Sequence, residues 1–325
     1  MAFKDILGNE RQKKILKRAL EKGRLPHSML FCGNEGIGKK SLAVELAKAL
    51  NCQRKKDDAC DICRSCKTIE RASFPDVMII SPEKNVIKID RMRILKHTAY
   101  LKPMVGRKRV FIVVEAERMN EEAANSLLKI LEEPPLFSHI ILVTSNPEII
   151  MPTIKSRCQI LSFQPISRED IEKILVEKGV ERDRAKILSL LVRGNLKKAL
   201  EVDWEEIQAQ RERAWDIFLS LVEKRKMASF LQNFTSSLGQ EREELEQILE
   251  ILSSYCRDLI LIKEGGDPCL MMNPDYAEKL NKAAAYLSTE KSLECLEEMD
   301  YVLYGLQRNL NTNLLLSSLF SNIMV

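Results

Sequence analysis

The sequence contains no long hydrophobic run. No window of its 325 residues approaches the ~18 consecutive apolar residues that mark a membrane span, and its first residues lack the apolar stretch of a secretory signal. We therefore expect a cytoplasmic protein with no membrane partner. Because thiols stay reduced in that compartment, we expect its nine cysteines to be free thiols or metal ligands rather than disulfides.

The sequence also lacks an excess of charge of one sign. Its 51 basic and 47 acidic side chains leave a net charge of +4, which is too balanced to predict nucleic-acid binding from bulk charge. Two local basic patches occur, one at residues 107–109 and one formed by Arg91, Arg93 and Lys96. Such patches are typical of a solvated surface, and contact with DNA is the alternative.

Near its start the chain carries a glycine-rich stretch that fits the phosphate-loop pattern G-x-x-x-x-G-K-[ST] at every position but the last. Gly33, Gly36 and Gly38 allow the tight turns through which backbone N–H groups surround a phosphate, and Lys39 would reach the outer phosphates. An apolar strand pattern precedes the stretch at residues 28–32, and a helical pattern follows it. The stretch predicts a phosphate-loop fold and leaves open whether ATP or ADP is bound.

Two positions that hold Mg²⁺ in phosphate-loop nucleotidases carry unsuitable side chains. Lys40 replaces the usual hydroxyl residue, and Ser41 comes one residue later, which on a helix turns its side chain by ~100°. Val114 occupies the place of a metal-binding acid in a predicted strand over residues 109–117. Glu115 could still orient a water molecule. Because both metal positions are altered, we expect neither Mg²⁺ nor ATP hydrolysis at this site.

A cysteine module follows the phosphate loop. Cys52, Cys60, Cys63 and Cys66 have the spacing C-x7-C-x2-C-x2-C, and four thiolates within so short a stretch suit tetrahedral Zn²⁺. A ferredoxin-type cluster would need another cysteine at the position of Glu70. Because four cysteines leave no open coordination position, the predicted zinc is structural; unliganded thiols are the alternative.

Strand and helix patterns alternate through the first half of the chain, which predicts a parallel three-layer α/β domain. Thr144 ends one strand pattern, at the edge where ligands bind in such sheets. Asn9, with Gln12 three residues later, predicts a capped start for the first helix.

From Ser167 onward the patterns are almost entirely helical. We therefore predict an α/β fold followed by an all-α part, with domains at residues 1–165, 166–205 and 206–325. An apolar pattern around residues 303–320 predicts a continuous helix near the end of the chain.

Several stretches together resemble a known family. Residues 124–135 read Ala-Asn-Ser-Leu-Leu-Lys-Ile-Leu-Glu-Glu-Pro-Pro, and residues 156–158 read Ser-Arg-Cys, the SRC motif of clamp loaders. Residues 27–31 before the phosphate loop, the cysteine module and residues 308–311 add to the likeness. The chain resembles the clamp-loader subunits of bacterial DNA polymerase III, which belong to the AAA+ class, and most closely the delta prime branch.

The resemblance implies a role in a hetero-pentamer with gamma/tau and delta subunits, which opens the ring-shaped beta sliding clamp and places it on primed DNA. It implies an AAA+ domain at residues 1–165, a lid at 166–205 and an oligomerising collar at 206–325. In such assemblies the SRC arginine, here Arg157, enters the ATP site of a neighbouring subunit. The expected position of Arg157 at the mouth of the sheet favours this role over that of an ordinary surface residue.

Delta prime-like subunits are commonly degenerate at their own nucleotide site, and Lys197 stands where active members carry an arginine. The leading hypothesis is therefore a subunit that does not hydrolyse ATP and serves a neighbour. One alternative is a catalytic gamma/tau-like ATPase, which Lys40 and Val114 argue against. Another is a zinc-bearing DNA-binding module, which the lack of basic and aromatic interleaving around the cysteines argues against.

Overall fold

The computed structural model describes residue 3 and residues 6–55, 57–192, 194–222, 242–307 and 310–323. The chain divides into two compact units, residues 1–171 with 193–200 and residues 172–192 with 201–325. The division into three domains made from the sequence stays a prediction.

The first unit is built on a five-stranded sheet with the order β2-β3-β4-β1-β5. Its strands are β1 (Ser28–Cys32), β2 (Val77–Ile80), β3 (Arg109–Val113), β4 (Ser138–Thr144) and β5 (Gln159–Ser162). Every pairing between neighbouring strands is parallel, so the carboxyl ends of all five strands lie at one edge. The predicted parallel α/β fold is confirmed.

Helices cover both faces of this sheet. Those of the first half of the chain are α1 (Glu10–Glu21), α2 (Lys39–Asn51), α3 (Arg64–Glu70), α4 (Ile89–Ala99), α5 (Glu121–Glu132) and α6 (Pro152–Lys155). Because side chains alternate along a strand, Met29 and Phe31 of β1 pack in one core with α1 and α2, whereas Leu30 packs in a second core with α4 and α5. The sheet is thus the middle of three layers.

The start of α1 differs from the prediction. Asn9 has a left-handed backbone with φ 54° and forms no side-chain cap. Its side chain instead accepts the backbone N–H of Gln164 at 2.8 Å and donates to the Gln164 carbonyl at 3.2 Å. Gln12 donates to the carbonyl of Ser162. The predicted cap is therefore wrong, because both side chains fasten α1 to the segment that contains the end of β5.

Every described element beyond residue 167 is helical, as predicted. The helices are α7 (Arg168–Glu177), α8 (Arg182–Leu191), α9 (Leu196–Glu201), α10 (Trp204–Val222), α11 (Arg242–Lys263), α12 (Ala277–Ala283), α13 (Thr289–Gln307) and α14 (Thr312–Ile323). None of the described helices is long and apolar enough to cross a bilayer.

The continuous helix predicted over residues 303–320 is wrong. The helix α13 ends at Gln307 and α14 begins at Thr312. Asn311 accounts for the new start, because its side chain accepts the backbone N–H groups of Asn313 at 3.0 Å and Leu314 at 3.3 Å. Residues 308 and 309 of the family-like ending lie outside the described residues.

The second unit has its own core between α10, α11, α12, α13 and α14. In this core the ring of Trp215 packs with its centroid 5.5 Å from that of Tyr255 and 5.4 Å from that of Tyr276. Arg211 is fully buried beside these rings, and its guanidinium donates two hydrogen bonds of 2.8 Å to Asp275. The buried charge is therefore paired, as stability requires.

Candidate functional site

The phosphate loop follows β1 at the carboxyl edge of the sheet. Its glycines have φ values that other residues rarely adopt: 144° at Gly33, 72° at Gly36 and 90° at Gly38. A methyl group added at Gly33 would also lie only 2.7 Å from the carbonyl oxygen of Phe163. The predicted tight turn is present, and α2 begins directly after Gly38.

Lys39 is buried at the start of α2. Its Nζ donates to the carbonyl of Gly33 at 2.5 Å and to that of Asn34. Burial lowers the pKa of Lys39, and the negative charges of Glu117 and Glu35 act against this shift. The ammonium group of Lys39 thus places a positive charge beside the phosphate loop, at the carboxyl edge of the sheet.

Lys40 and Val114 occupy the two positions that would hold Mg²⁺ in a phosphate-loop nucleotidase. The side chains of Lys40 and Ser41 are exposed, and Val114 is half-buried, with its backbone N–H donating to Ile80 at 2.8 Å. The strand predicted through residue 117 is wrong, because β3 ends at Val113 and Glu115 has a left-handed backbone with φ 53°. The Glu115 carboxylate accepts a hydrogen bond of 2.7 Å from Nε of Arg118.

The acid that acts most strongly on Lys39 is Glu117, which we did not select from the sequence. Its Oε1 accepts hydrogen bonds from the backbone N–H and the hydroxyl of Ser145, at 3.0 and 2.5 Å. Its Oε2 is buried and has no hydrogen-bond partner among the described residues. The sequence showed that two acids, Glu115 and Glu117, follow the apolar residues of β3. Which of them faces the phosphate loop is determined by the backbone turn at Glu115.

Thr144 lies at the same edge, fully buried at the end of β4 and directly opposite Cys32 of β1. Its Oγ1 accepts the backbone N–H of Asn146 at 3.1 Å. The structure thus brings Thr144 and the phosphate loop together, as predicted.

The start of α9 also touches the phosphate loop. The side chain of Asn195 caps α9 by accepting the N–H of Lys198 at 2.9 Å, and it lies so close to Gly36 that a methyl group there would be 1.7 Å from its Oδ1. Lys197 is exposed, and its backbone N–H donates to the Gly36 carbonyl at 3.5 Å. The contact between Asn195 and Gly36 was missed because the two residues are far apart in the sequence.

Arg157 does not lie at the mouth of the sheet, which corrects the expectation from the sequence. The strand β5 begins at Gln159, opposite Met29 near the start of β1. Arg157 therefore precedes the amino end of β5, whereas the phosphate loop follows the carboxyl end of β1. Its guanidinium forms an ion pair with Glu132, with an Nε–Oε1 distance of 2.6 Å.

The cysteine module is assembled as predicted. The sulfur atoms of Cys52, Cys60, Cys63 and Cys66 all lie within 4.8 Å of one another, and only Cys60 is more than slightly exposed. Burial raises the pKa of Cys63, but hydrogen bonds from the backbone of Cys66 and Gln53 and from the side chains of Cys66 and Cys60 together lower it to about 6. The four thiols can hold one metal ion.

Beside this module lies a buried ion-pair cluster that the sequence did not reveal. The ammonium group of Lys48 is fully buried and contacts Glu45 at 2.9 Å, Asp61 at 3.2 Å and Glu70. Because Asp61 lies between Cys60 and Cys63 and Glu70 follows Cys66 in α3, the cluster fastens the module to α2. The three carboxylates could by themselves hold a cation, but the Lys48 ammonium group fills that role.

The parallel sheet and the glycine loop after β1 define an α/β phosphate-loop protein. The family described as "DNA polymerase III, delta subunit" matches residues 8–167, and "DNA polymerase III, delta subunit, C terminal" matches residues 206–323. The chain is 32% identical over 290 residues to DNA polymerase III subunit delta' of Bacillus subtilis, covering 88% of this chain and 87% of that protein. It therefore belongs to the clamp-loader subunits of bacterial DNA polymerase III, as the resemblance predicted.

Other matches are less complete or more distant. The tau subunit of Bacillus subtilis is 31% identical over 287 residues, covering 80% of this chain but 50% of tau. A solved structure of a gamma subunit-related protein from Thermotoga maritima is 20% identical, with a TM-score of 0.49, and covers 96% of this chain and 98% of that one.

Proposed function

We propose that the chain is a delta prime-like subunit of the clamp loader that does not hydrolyse ATP itself and supplies Arg157 to a neighbouring subunit's ATP site. The position of Arg157 carries this proposal. Arg157 lies at the edge of the sheet formed by the amino ends of the strands (the amino edge), and the chain's own phosphate loop lies at the opposite, carboxyl edge. The four residues of β5, roughly 13 Å of extended chain, separate the two edges. An arginine at the amino edge suits a site on another subunit better than its own.

The chain's own site supports the other half of the proposal. Lys40 and Val114 provide no oxygen ligand for Mg²⁺, and phosphoryl transfer in phosphate-loop enzymes depends on that ion. Glu117 adds a negative charge that acts on Lys39, which opposes the binding of a polyphosphate. Glu115, Thr144 and Lys197 then line a degenerate site.

We also propose that the four cysteines hold one structural Zn²⁺. Four Zn–S bonds of about 2.3 Å in a tetrahedron separate the sulfurs by roughly 3.8 Å, and sulfurs that all lie within 4.8 Å of one another fit this arrangement. A four-thiolate ion cross-links the module and takes no part in catalysis. The nearby Lys48 cluster would transmit that rigidity to α2.

Membership of the family supports the remaining assignments. The partners we propose are gamma/tau and delta subunits in a hetero-pentamer, the beta sliding clamp, and primed DNA held by the assembled complex. The lid at residues 166–205 and the collar at residues 206–325 belong to the same proposal, as does a cytoplasmic location.

ATP hydrolysis tests the proposed function. The purified chain is assayed alone and after assembly with a catalytic partner subunit, as wild type, as Arg157→Ala and as Arg93→Ala, which alters an exposed arginine on α4. We expect no turnover by the chain alone. In the assembly, Arg157→Ala should lower the partner's rate by about 10³-fold or more, the scale of trans arginines elsewhere, and Arg93→Ala should leave it unchanged.

Turnover by the chain alone would contradict the proposal and favour the gamma/tau-like alternative. If the partner's ATPase rate does not change with Arg157→Ala, the proposed role of Arg157 in the neighbour's site is wrong. Salt-dependent DNA binding by the isolated chain would favour the DNA-binding alternative.

A further inference from the structure

The guanidinium of Arg157 is almost fully engaged within its own chain. Its Nε donates to Oε1 of Glu132 at 2.6 Å, and its Nη2 contacts the same oxygen. Its Nη1 donates to the carbonyl of Thr153 at 2.8 Å and to the hydroxyl of Ser156 at 3.3 Å. A guanidinium has five N–H donors, so these contacts leave one N–H, on Nη2, unassigned.

This arrangement conflicts with the geometry that a phosphate requires. Arginine binds phosphate most strongly through two parallel N–H groups on one edge. The Nε–Nη2 edge faces Glu132, and the other edge includes the Nη1 group bonded to Thr153 and Ser156. To form a paired contact with a phosphate, Arg157 must give up one of these sets of partners.

We propose that the Glu132 carboxylate competes with the neighbour's ATP for the Nε–Nη2 edge of Arg157. In the free chain the carboxylate holds the guanidinium. In the assembly the phosphate replaces the carboxylate, so an anion is exchanged for an anion and the positive charge stays paired. This inference rests on the proposed trans role of Arg157, and it assigns a function to the first glutamate of the Glu132–Glu133 pair.

The exposure of the pair permits such an exchange. The side chain of Arg157 is 31% exposed and that of Glu132 is 48% exposed, so both can reach solvent without unfolding. A partly exposed ion pair contributes little to stability. The contact can therefore be broken at low cost, which a buried pair would not allow.

The test uses the assembled complex and measures the partner's ATPase rate against ATP concentration. Glu132→Gln keeps the shape of the side chain and removes its charge, and Glu133→Gln changes the adjacent exposed glutamate as a matched control. Because charge-assisted hydrogen bonds are about twice as strong as neutral ones, we expect Glu132→Gln to lower the half-saturating ATP concentration by about threefold or more. The rate at saturating ATP should change less than about twofold, since the bound phosphate has already displaced the carboxylate.

The Arg157→Ala background separates this inference from the proposed function. In that background Glu132→Gln should not change the half-saturating ATP concentration further, because Arg157, through which Glu132 acts, is absent. If Arg157→Ala lowers the partner's rate but Glu132→Gln leaves the half-saturating ATP concentration unchanged, only the role of Glu132 is overturned. A large fall in the saturated rate with Glu132→Gln would also overturn it, since the carboxylate would then be aligning the arginine rather than competing for it. No response to Arg157→Ala would instead overturn the proposed function.

Discussion

The imidazole rings of His27 and His139 are stacked, with ring centroids 4.9 Å apart and planes inclined by 5°. Each ring donates from Nδ1 to a backbone carbonyl, His27 to Ser138 at 2.9 Å and His139 to Pro26 at 3.1 Å. His139 is buried, and burial together with the charges of His27 and Lys108 lowers its pKa to about 4. The ring is therefore neutral in the folded protein at pH values where an unfolded chain would protonate it.

This shift predicts how stability depends on pH. A histidine in the unfolded chain titrates near 6.5, so between about pH 6.5 and 4 the unfolded state binds more protons and the free energy of unfolding falls as the pH falls. His139 should account for a loss of about 2 kcal/mol between pH 7.5 and pH 5, given 1.36 kcal/mol per pKa unit. Urea unfolding at both pH values measures it. His139→Gln should lose less stability over this range than wild type, whereas exposed His97→Gln should lose as much; equal losses in all three would contradict the assignment.

The buried Lys48 cluster predicts a large effect from a single substitution. Lys48→Met leaves the carboxylate of Glu45, which is also buried, without its partner. Removing one member of a buried ion pair typically costs about 3–5 kcal/mol, and we expect about 3 kcal/mol because Glu70 and Asp61 are partly exposed. Urea unfolding measures the loss. Lys40→Met, exposed on the same helix, should change stability by less than about 0.5 kcal/mol.

A second substitution tests the cause of that loss. Adding Glu45→Gln to Lys48→Met should recover part of the stability, because the unpaired buried charge is then removed. No recovery in the double variant would indicate lost packing rather than an unpaired carboxylate.

The cysteine module predicts one zinc ion per chain. Elemental analysis of purified wild type should find it, and a chelator should lower the thermal midpoint of unfolding. Cys66→Ser should lose both the metal and the sensitivity to the chelator, whereas Cys269→Ser, exposed and outside the module, should keep both. A metal-free wild type, or a Cys66→Ser protein with its full metal content, would contradict the site.

Because Asn195 packs against Gly36, we expect a methyl group at Gly36 to lower the free energy of unfolding more than it would at an open glycine. Gly36→Ala would place its Cβ against Asn195 at a φ of 72°, whereas Gly23→Ala has a similar φ of 61° and no atom within 4 Å. We expect Gly23→Ala to cost about 1 kcal/mol from its backbone alone and Gly36→Ala at least about 1 kcal/mol more. Urea unfolding of both variants measures the difference, and equal losses would show that Asn195 does not pack against the loop.

Local patterns in the sequence predicted much of this protein. The glycines of the phosphate loop, the alternating apolar strands and the cysteine spacing each specify a short stretch of backbone, so each could be recognised without knowledge of the rest. The same patterns placed Lys40 and Val114 at the two metal positions. The family assignment followed from residues 124–135 and 156–158, and the comparison with known proteins confirmed it.

Other features depended on short-range conformation that propensities did not reveal. The strand β3 stops at Val113 because Glu115 adopts a left-handed backbone, and this turn brings Glu117 rather than Glu115 towards Lys39. Asn9 has the chemistry of a helix cap, but its side chain bonds with Gln164. For Asn9 a distant backbone segment outweighed the local preference, whereas the end of β3 is set by the backbone conformation of Glu115 itself.

The sequence by itself determined the kinds of chemistry available: a phosphate loop without metal ligands, four clustered thiols and an arginine in a family motif. Only the tertiary structure decided where that chemistry lies. Parallel pairing of β1 with β5 puts the phosphate loop and Arg157 at opposite edges of one sheet, and the packing of α5 against α6 brings Glu132 to Arg157. These placements depend on contacts between residues distant in the chain, and no local pattern specifies such contacts.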